Sequence, residues 1–154
     1  MTSPACVASP SLAALHAAAA AAGLTVCSSA SWPETDADGE VTAIVMVTAL
    51  GDVTSAARVA AAVDAGQRVP PLLFFQSVPN AVAGYLAARW QLTGPVVCVS
   101  GARAGLDVSA LLIEDADADE VLVVRVDLAV TDGDRDRAAA ILVTRPDGEL
   151  AGTG

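Results

Sequence analysis

The stretch VSGARAGL, from Val99 to Leu106, has the layout of a catalytic turn but holds no nucleophile at its centre. Valines lead into it, small residues allow a sharp bend, and an apolar helical pattern leaves it. Arg103 stands at the centre of this turn. A guanidinium keeps its proton at any workable pH, so Arg103 cannot attack a substrate.

The neighbouring residues offer few substitutes for a nucleophile. Ser100 precedes the turn, but His16, the single histidine of the sequence, lies in a distant segment, so Ser100 has no evident base. Cys98 falls inside an apolar run that predicts a buried strand, where a thiol behaves as a small apolar side chain. We interpret His16 and Cys98 as structural residues and keep chemistry at Ser100 as an alternative.

The sequence also offers few ligands for a metal ion. Its three cysteines show no CxxC spacing and are accompanied by one histidine, which argues against a zinc site. Asp115, Asp117, Asp119 and Glu120 lie close together, but the central glycine and the final glutamate of an EF-hand loop are absent. We expect a solvated acidic face there, and neither a metal nor a cofactor.

Composition restricts the class of protein. The 154 residues suit a single domain over residues 1–154. Eighteen acidic residues against eight basic ones give a formal net charge of −10, and no basic run is present, which argues against nucleic-acid binding. The apolar fraction of 54% is high for a globular chain, so we expect some apolar surface to face a partner in an oligomer.

Two uncharged segments are not interpreted as membrane-inserted. Residues 1–33 have no basic start and consist mostly of alanine, unlike a signal peptide. Residues 69–88 contain prolines and polar side chains that would be costly in lipid. With no paired cysteine spacing, a reduced, cytoplasmic setting is the simplest expectation.

Strands and helices alternate along the chain, which predicts a layered α/β fold. Helices are predicted over residues 11–23, 54–66, 79–90 and 104–116. Strands are predicted over residues 41–50, 96–100, 119–129 and 138–145. We expect Ser11 to cap the first helix, Thr54 or Ser55 the second, and Asn80 the third. The start of the segment 72–90 is expected to be extended.

The segment SVPNAVAGYLAARWQLTGPVVCVSGARAGL, Ser77 to Leu106, resembles the N-terminal half of a β-ketoacyl synthase of the thiolase fold. In that family a similar Ser-Val-x-Asn-x-x-x-Gly segment starts a helix, and Gly-Pro followed by a valine-rich strand leads to the nucleophile elbow. The resemblance extends over about residues 42–146. It implies a thiolase-like half-fold, in which a mixed sheet carries helices on its faces.

The elbow departs from the family pattern. The family motif is similar to Ser-Thr-Ala-Cys followed by small residues, and its thiolate is stabilised by the N-terminus of the following helix. The matching elbow residues here are Ser100, Gly101, Ala102, Arg103 and Gly105. Arginine therefore stands at the cysteine position. The elbow is also one residue shorter, and a different gap placement would put Ala102 or Ala104 there, neither of which is a nucleophile.

A second departure is that the family's two catalytic histidines lie in its C-terminal half, which this sequence does not include. The resemblance therefore implies a non-catalytic subunit, similar to a chain-length factor in that it lacks the cysteine. Its implied partners are a second copy or a ketosynthase-type subunit, with an acyl carrier protein as a further candidate. Alternatives are a small acyl-thioester hydrolase or transferase, and a structural partner of another pathway enzyme.

The resemblance also implies an interface. In the family, the valine-rich strand before the elbow lies near the dimer axis and pairs with its symmetry mate. The residues expected there are Val96, Val97, Cys98 and Val99, with Ser77, Asn80 and Tyr85 nearby.

Two roles are open for Arg103. It is spaced to form an ion pair with Asp107, four residues further along the helix. Alternatively, it fills the pocket vacated by the cysteine or binds an anion such as a malonyl carboxylate or a carrier-protein phosphate, for which its planar fork is suited.

Overall fold

A mixed five-stranded sheet forms the centre of the computed structural model, which describes residues 19–21, 23–26, 39–131 and 133–145. The strands are β1 (Thr25–Val26), β2 (Thr42–Val47), β3 (Val96–Val99), β4 (Glu120–Asp127) and β5 (Arg137–Thr144). The helices are α1 (Val53–Asp64), α2 (Pro71–Gln76), α3 (Pro79–Trp90) and α4 (Ala102–Glu114). Among the described residues, no helix is long and apolar enough to cross a membrane.

The strand order is β1-β5-β4-β2-β3, so β2 lies between β4 and β3. These three strands are parallel, whereas β5 is antiparallel to β4 and β1 is antiparallel to β5. Parallel neighbours need helical crossovers, and α3 and α4 lie in the crossovers that flank β3. The predicted layered α/β fold with a mixed sheet and helices on its faces is confirmed.

Strand β2 is buried on both faces, which explains its unbroken apolar sequence. Ala43, Val45 and Val47 belong to the core cluster that packs beneath α4. Ile44 and Met46 belong to a second cluster with side chains of α3. The alternation of strand side chains thus builds one core on each side of the sheet.

Two glycines allow close packing around β3. A Cβ added at Gly105 would lie 2.5 Å from Cγ2 of Val47, so α4 can approach the sheet only with glycine there. A Cβ added at Gly94, two residues before β3, would overlap the backbone carbonyl of Thr42. Positions without a side chain thus allow the turn before β3 and the helix after it to pack closely on β2.

The structure corrects two expectations about helix caps. Asp52, and not Thr54 or Ser55, caps α1, because its Oδ1 accepts a hydrogen bond of 2.9 Å from the Ser55 backbone N–H. Asn80 is not a cap either, since α3 begins at Pro79 and its cap residue, Val78, makes no side-chain hydrogen bond.

The residues expected to be extended after Pro70 instead form the short helix α2. Pro71 occupies its first turn, where a proline has no hydrogen bond to lose and already has a helical φ angle. The helix predicted over residues 11–23 falls mostly outside the described residues, although residues 19–21 are helical. That prediction and its Ser11 cap remain predictions, as does a single domain over residues 1–154.

Candidate functional site

The elbow connects the end of β3 at Val99 to the start of α4 at Ala102. Gly101 caps this helix with φ 92° and ψ 135°, a backbone conformation that favours glycine. No side chain caps the helix, and its first turn carries no acidic residue. The local geometry thus presents the positive end of a thirteen-residue helix, which would suit an anionic nucleophile.

The residues at this helix start supply no nucleophile. Ala102 is the first helical residue, and Arg103 is the second. Arg103 Nε lies 2.8 Å from Oδ1 of Asp107, with the two side chains 77% and 55% exposed. The structure therefore contains the ion pair expected from the spacing, on the solvent side of α4.

A second arginine lies at the same edge of the sheet. Arg125, near the end of β4, is opposite Val47 in the parallel register, and Val47 is the residue against which Gly105 packs. Arg125 Nε lies 2.9 Å from Oδ2 of Asp127, and both side chains are about one third exposed. The two arginines are thus each paired with an aspartate.

Sequence reasoning did not single out Arg125. Its spacing in the predicted strand could have revealed it. Arg125 follows Val123 by two residues, and alternate residues of a strand lie on the same face of the sheet. Val121 and Val123 belong to the core beneath α4, so Arg125 is a charged residue on a core-facing row.

The remaining candidate nucleophiles are poorly placed. Cys98 packs with Ile44 and Met46 in the cluster on the α3 side, on the face of the sheet opposite α4. Burial raises the pKa of its thiol, which disfavours the reactive thiolate. Ser100 is exposed at the end of β3, and His16 lies outside the described residues.

The residues predicted for an interface are brought onto one side of the molecule. Val96 to Val99 form β3, an edge strand of the described sheet, and α3 packs against it. Tyr85 projects from α3 and is 68% exposed, while Asn80 is also exposed. Ser77 is half-buried, and its hydroxyl donates to the carbonyl of Phe74 at 2.6 Å.

The acidic residues before β4 have structural contacts. The Val41 backbone N–H donates to Oδ2 of Asp119 at 2.7 Å, and the Thr42 hydroxyl donates to Oε1 of Glu120 at 2.7 Å. Both contacts join β2 to the start of β4. Within the described residues, no group of three or more histidine, cysteine, aspartate or glutamate side chains is arranged to hold a metal ion.

A mixed sheet with an elbow between β3 and α4 is the arrangement expected for a ketosynthase-like domain. The sequence profile described as "Beta-ketoacyl synthase, N-terminal domain" matches residues 9–136, more than half of the chain. The chain belongs to this family. The resemblance to the N-terminal half of a ketosynthase is thereby confirmed, although the match starts and ends earlier than the expected residues 42–146. No curated protein matches the chain.

Two solved structures share the fold. The ketosynthase ApeO in complex with its chain length factor ApeC, from Xenorhabdus doucetiae, is 22% identical with a TM-score of 0.57, over 69% of this chain and 50% of that chain. The ishigamide ketosynthase/chain length factor is 21% identical with a TM-score of 0.58, over 75% of this chain and 40% of that chain. This chain thus corresponds to half or less of the length of each.

Proposed function

We propose that this chain is a non-catalytic ketosynthase-like subunit of polyketide or fatty-acid-type biosynthesis, which acts by pairing with a ketosynthase-type subunit. The observation that carries the proposal is the identity of the residues that begin α4. Condensation in the family resembled here needs a thiolate at that helix start. Ala102 and Arg103 stand there instead, and Arg103 is occupied by its ion pair with Asp107.

The outer edge of β3, which has no neighbouring strand among the described residues, supports the pairing. Two backbone hydrogen bonds show which groups of this segment face β2. The Ile44 N–H donates to the Pro95 carbonyl at 2.9 Å, and the Thr48 N–H donates to the Val99 carbonyl at 3.1 Å. Because backbone groups alternate in direction along a strand, those of Val96 and Cys98 point away from β2. A strand from another subunit would satisfy them, and β3 carries no charge or proline that would block such pairing.

The comparisons support a heteromer as the form of this pairing. The two solved structures described above are named as a ketosynthase together with a chain length factor. A second copy of this chain would present the same edge strand, so a homodimer remains the competing assembly. An acyl carrier protein is proposed as an additional, transient partner.

The experiment that tests the proposal combines co-purification with intact mass spectrometry. The full chain is co-expressed with candidate ketosynthase subunits, and size-exclusion chromatography with light scattering measures the mass of the complex. We expect a complex with one ketosynthase-type subunit. Failure of every such subunit to bind, together with a stable homodimer, would contradict the pairing.

The same samples test for residual chemistry. Acyl carrier protein loaded with malonyl or acetyl groups is incubated with the chain, and the mass of the chain is followed. We expect no acyl adduct and no thioester turnover. Turnover that is lost in Ser100→Ala, while Ser109→Ala retains it, would instead establish the hydrolase or transferase alternative.

A further inference from the structure

A group of charged side chains lies near the carboxyl end of β4, on the face of the sheet that α4 covers. Arg125 and Asp127 are two residues apart on this strand and therefore share a face. Arg137 of β5 is opposite Asp127 in the antiparallel register, and Ala139 is opposite Arg125. Because directly opposite residues lie on the same face, Arg125 and Arg137 are diagonal neighbours, with backbones about 7–8 Å apart.

Most of the hydrogen-bonding capacity of the two arginines is unused within the described residues. Arg125 donates only through Nε, to Oδ2 of Asp127 at 2.9 Å. Its terminal nitrogens have no acceptor among the described residues, and the side chain of Arg137 forms neither an ion pair nor a hydrogen bond with any of them. The remaining N–H groups of both guanidiniums are therefore available to a ligand that accepts hydrogen bonds.

The group carries one surplus positive charge. Arg125 and Arg137 contribute two positive charges, and Asp127 contributes one negative charge. The neighbouring Asp136 forms no ion pair with either arginine. Its Oδ1 instead accepts from the Ala129 backbone N–H at 2.8 Å, within the loop between β4 and β5. A singly charged anion would balance the charge of such a group.

The surroundings of the two arginines leave room for a ligand. Ala139, the residue opposite Arg125, has only a methyl side chain and is half-buried. Strand β1 pairs with β5 only at Val143 and Thr144, so no described strand flanks β5 beside Arg137. Arg137 is exposed, and the Arg125 side chain is about one third exposed. A small ligand can thus approach both guanidiniums from solvent.

The group lies at the end of the sheet where layered α/β proteins bind ligands. Arg125, Val47 and Val99 are neighbours across β4, β2 and β3, near the carboxyl ends of these parallel strands. In open α/β sheets, ligands occupy the crevice outside those ends. The elbow begins directly after Val99, so the positive end of α4 lies at the same end of the sheet. The position of the group and its charge therefore agree.

We propose that Arg125 and Arg137 bind the carboxylate group of a small organic acid. The planar fork of arginine matches the two oxygens of a carboxylate, and each oxygen can accept from more than one donor, so two forks can hold one anion. A carboxylate carries the single charge that balances the group, whereas the second charge of a phosphate monoester would have no partner beside Asp127. The site is built by β4 and β5, so it does not depend on pairing through β3.

Titration of the isotope-labelled full chain with sodium acetate, followed by NMR, tests the proposal. At neutral pH we expect saturable shifts of the Arg125 Nε–H signal and of the Arg137 and Ala139 amide signals. Sodium chloride at the same ionic strength is the control, because it screens charge but has no pair of oxygens to fill an arginine fork. It is expected to give only small shifts of these signals that do not saturate.

Substitution of the arginines provides the decisive comparison. The double variant Arg125→Gln/Arg137→Gln loses the charge-assisted hydrogen bonds and is expected to bind acetate at least about tenfold more weakly. Arg137→Gln alone changes only an exposed position and is expected to weaken binding at least about threefold, even if replacing Arg125 destabilises the fold. Arg68→Gln, at an exposed position outside the group, is the matched control and is expected to change the affinity less than about twofold. Circular dichroism melting confirms that each variant is folded.

The contrary outcomes are distinct. No saturable shift, equal shifts with sodium chloride, or an affinity unchanged in Arg137→Gln and in the double variant would each overturn the inference. So would loss of acetate binding in Arg103→Gln but not in the double variant, which would place the anion at the start of α4. Inorganic phosphate, doubly charged at mildly alkaline pH, is expected to bind no more tightly than acetate, and tighter binding would overturn the choice of a carboxylate. These measurements use the chain alone and are therefore separate from the test of pairing with a ketosynthase-type subunit.

Discussion

At the start of α4, the Arg103 guanidinium is held by Asp107 one helical turn away, with both side chains mostly in solvent. Exposed ion pairs at this spacing stabilise a helix only slightly, because water and salt screen the attraction. We therefore interpret Arg103 as a residue that the fold tolerates but that contributes little to its stability.

Replacing Arg103 by alanine tests this interpretation. The free energy of unfolding of Arg103→Ala is expected to fall by about 0.2–0.5 kcal/mol, and by less at high salt. Urea denaturation at low and high ionic strength measures both effects. The matched variant Arg125→Ala is expected to lose more, because the Arg125 side chain is about one third exposed and lies on the core-facing row of β4. A loss above about 1 kcal/mol for Arg103→Ala would contradict the interpretation.

The two arginines also show which parts of the site the sequence could predict. The pairing of Arg103 with Asp107 follows from helical spacing, which is a local property. The position of Arg125 at the same edge of the sheet as the elbow depends on the register of β4 against β2, which pairs residues separated by about eighty positions in the chain. Local patterns carry no signal for such a register.

At the scale of elements, the Asp52 cap makes α1 sensitive to acid. The hydrogen bonds from the Ser55 hydroxyl and backbone N–H hold the pKa of Asp52 below its ordinary value. The stabilisation by the charged cap is therefore fully present above the pKa of an unfolded aspartate, near 3.9. It is lost as the pH falls below that value and through the lower pKa of the folded state.

Amide hydrogen exchange in α1 measures this effect. Protection of the helix in the unaltered chain is expected to decrease as the pH falls below about 4, whereas Asp52→Asn, which keeps a capping oxygen, is expected to show a weaker dependence. Asp52→Ala is expected to lose about 1 kcal/mol of local stability at neutral pH. Equal pH dependence in Asp52→Asn and the unaltered chain would show that another group controls the helix.

Replacement of two glycines by alanine is expected to change the free energy of unfolding in opposite directions. At Gly94 the new methyl group would overlap the Thr42 carbonyl, so Gly94→Ala should lower the free energy of unfolding by about 1–3 kcal/mol. At Gly84, inside α3, a Cβ meets nothing within 4 Å, so Gly84→Ala should raise it by up to about 1 kcal/mol. Thermal and urea denaturation of both variants check the signs. A Gly94→Ala variant as stable as the unaltered chain would contradict the close packing of this turn.

Elements were predicted from the sequence with uneven success. The strands β2 and β3 and the helix α4 follow from apolar runs and helical periodicity, and the structure confirms them. Helix α2 was missed because Leu72 to Gln76 has neither helical alternation nor a capping side chain. Its conformation depends on Pro70 and Pro71 and on packing against α1 and α3, which a local pattern does not reveal.

At the scale of the whole molecule, one side of the fold carries the features that need a partner. In the described part of the sheet, β3 offers an unpaired apolar edge, and α3, which packs on β3, exposes an apolar stripe at Val82 and Tyr85. These two features are therefore neighbours. A single partner subunit could add a strand to the sheet and cover the apolar stripe of α3 at the same time.

A proline substitution in β3 can test assembly through this edge without removing a hydrogen bond of the folded sheet. Cys98 is suited to this change because its backbone N–H is directed away from β2, so Cys98→Pro removes a hydrogen-bond donor that only an added strand would use. One such backbone hydrogen bond contributes about 0.5–1.5 kcal/mol, and the proline ring also obstructs the approaching strand. We therefore expect the affinity for the partner to fall at least about tenfold. Light scattering and titration calorimetry measure the association, and circular dichroism checks that the sheet is retained. Cys98→Ser keeps the N–H and is the matched control. Unchanged association of a folded Cys98→Pro chain would exclude the β3 edge as the contact.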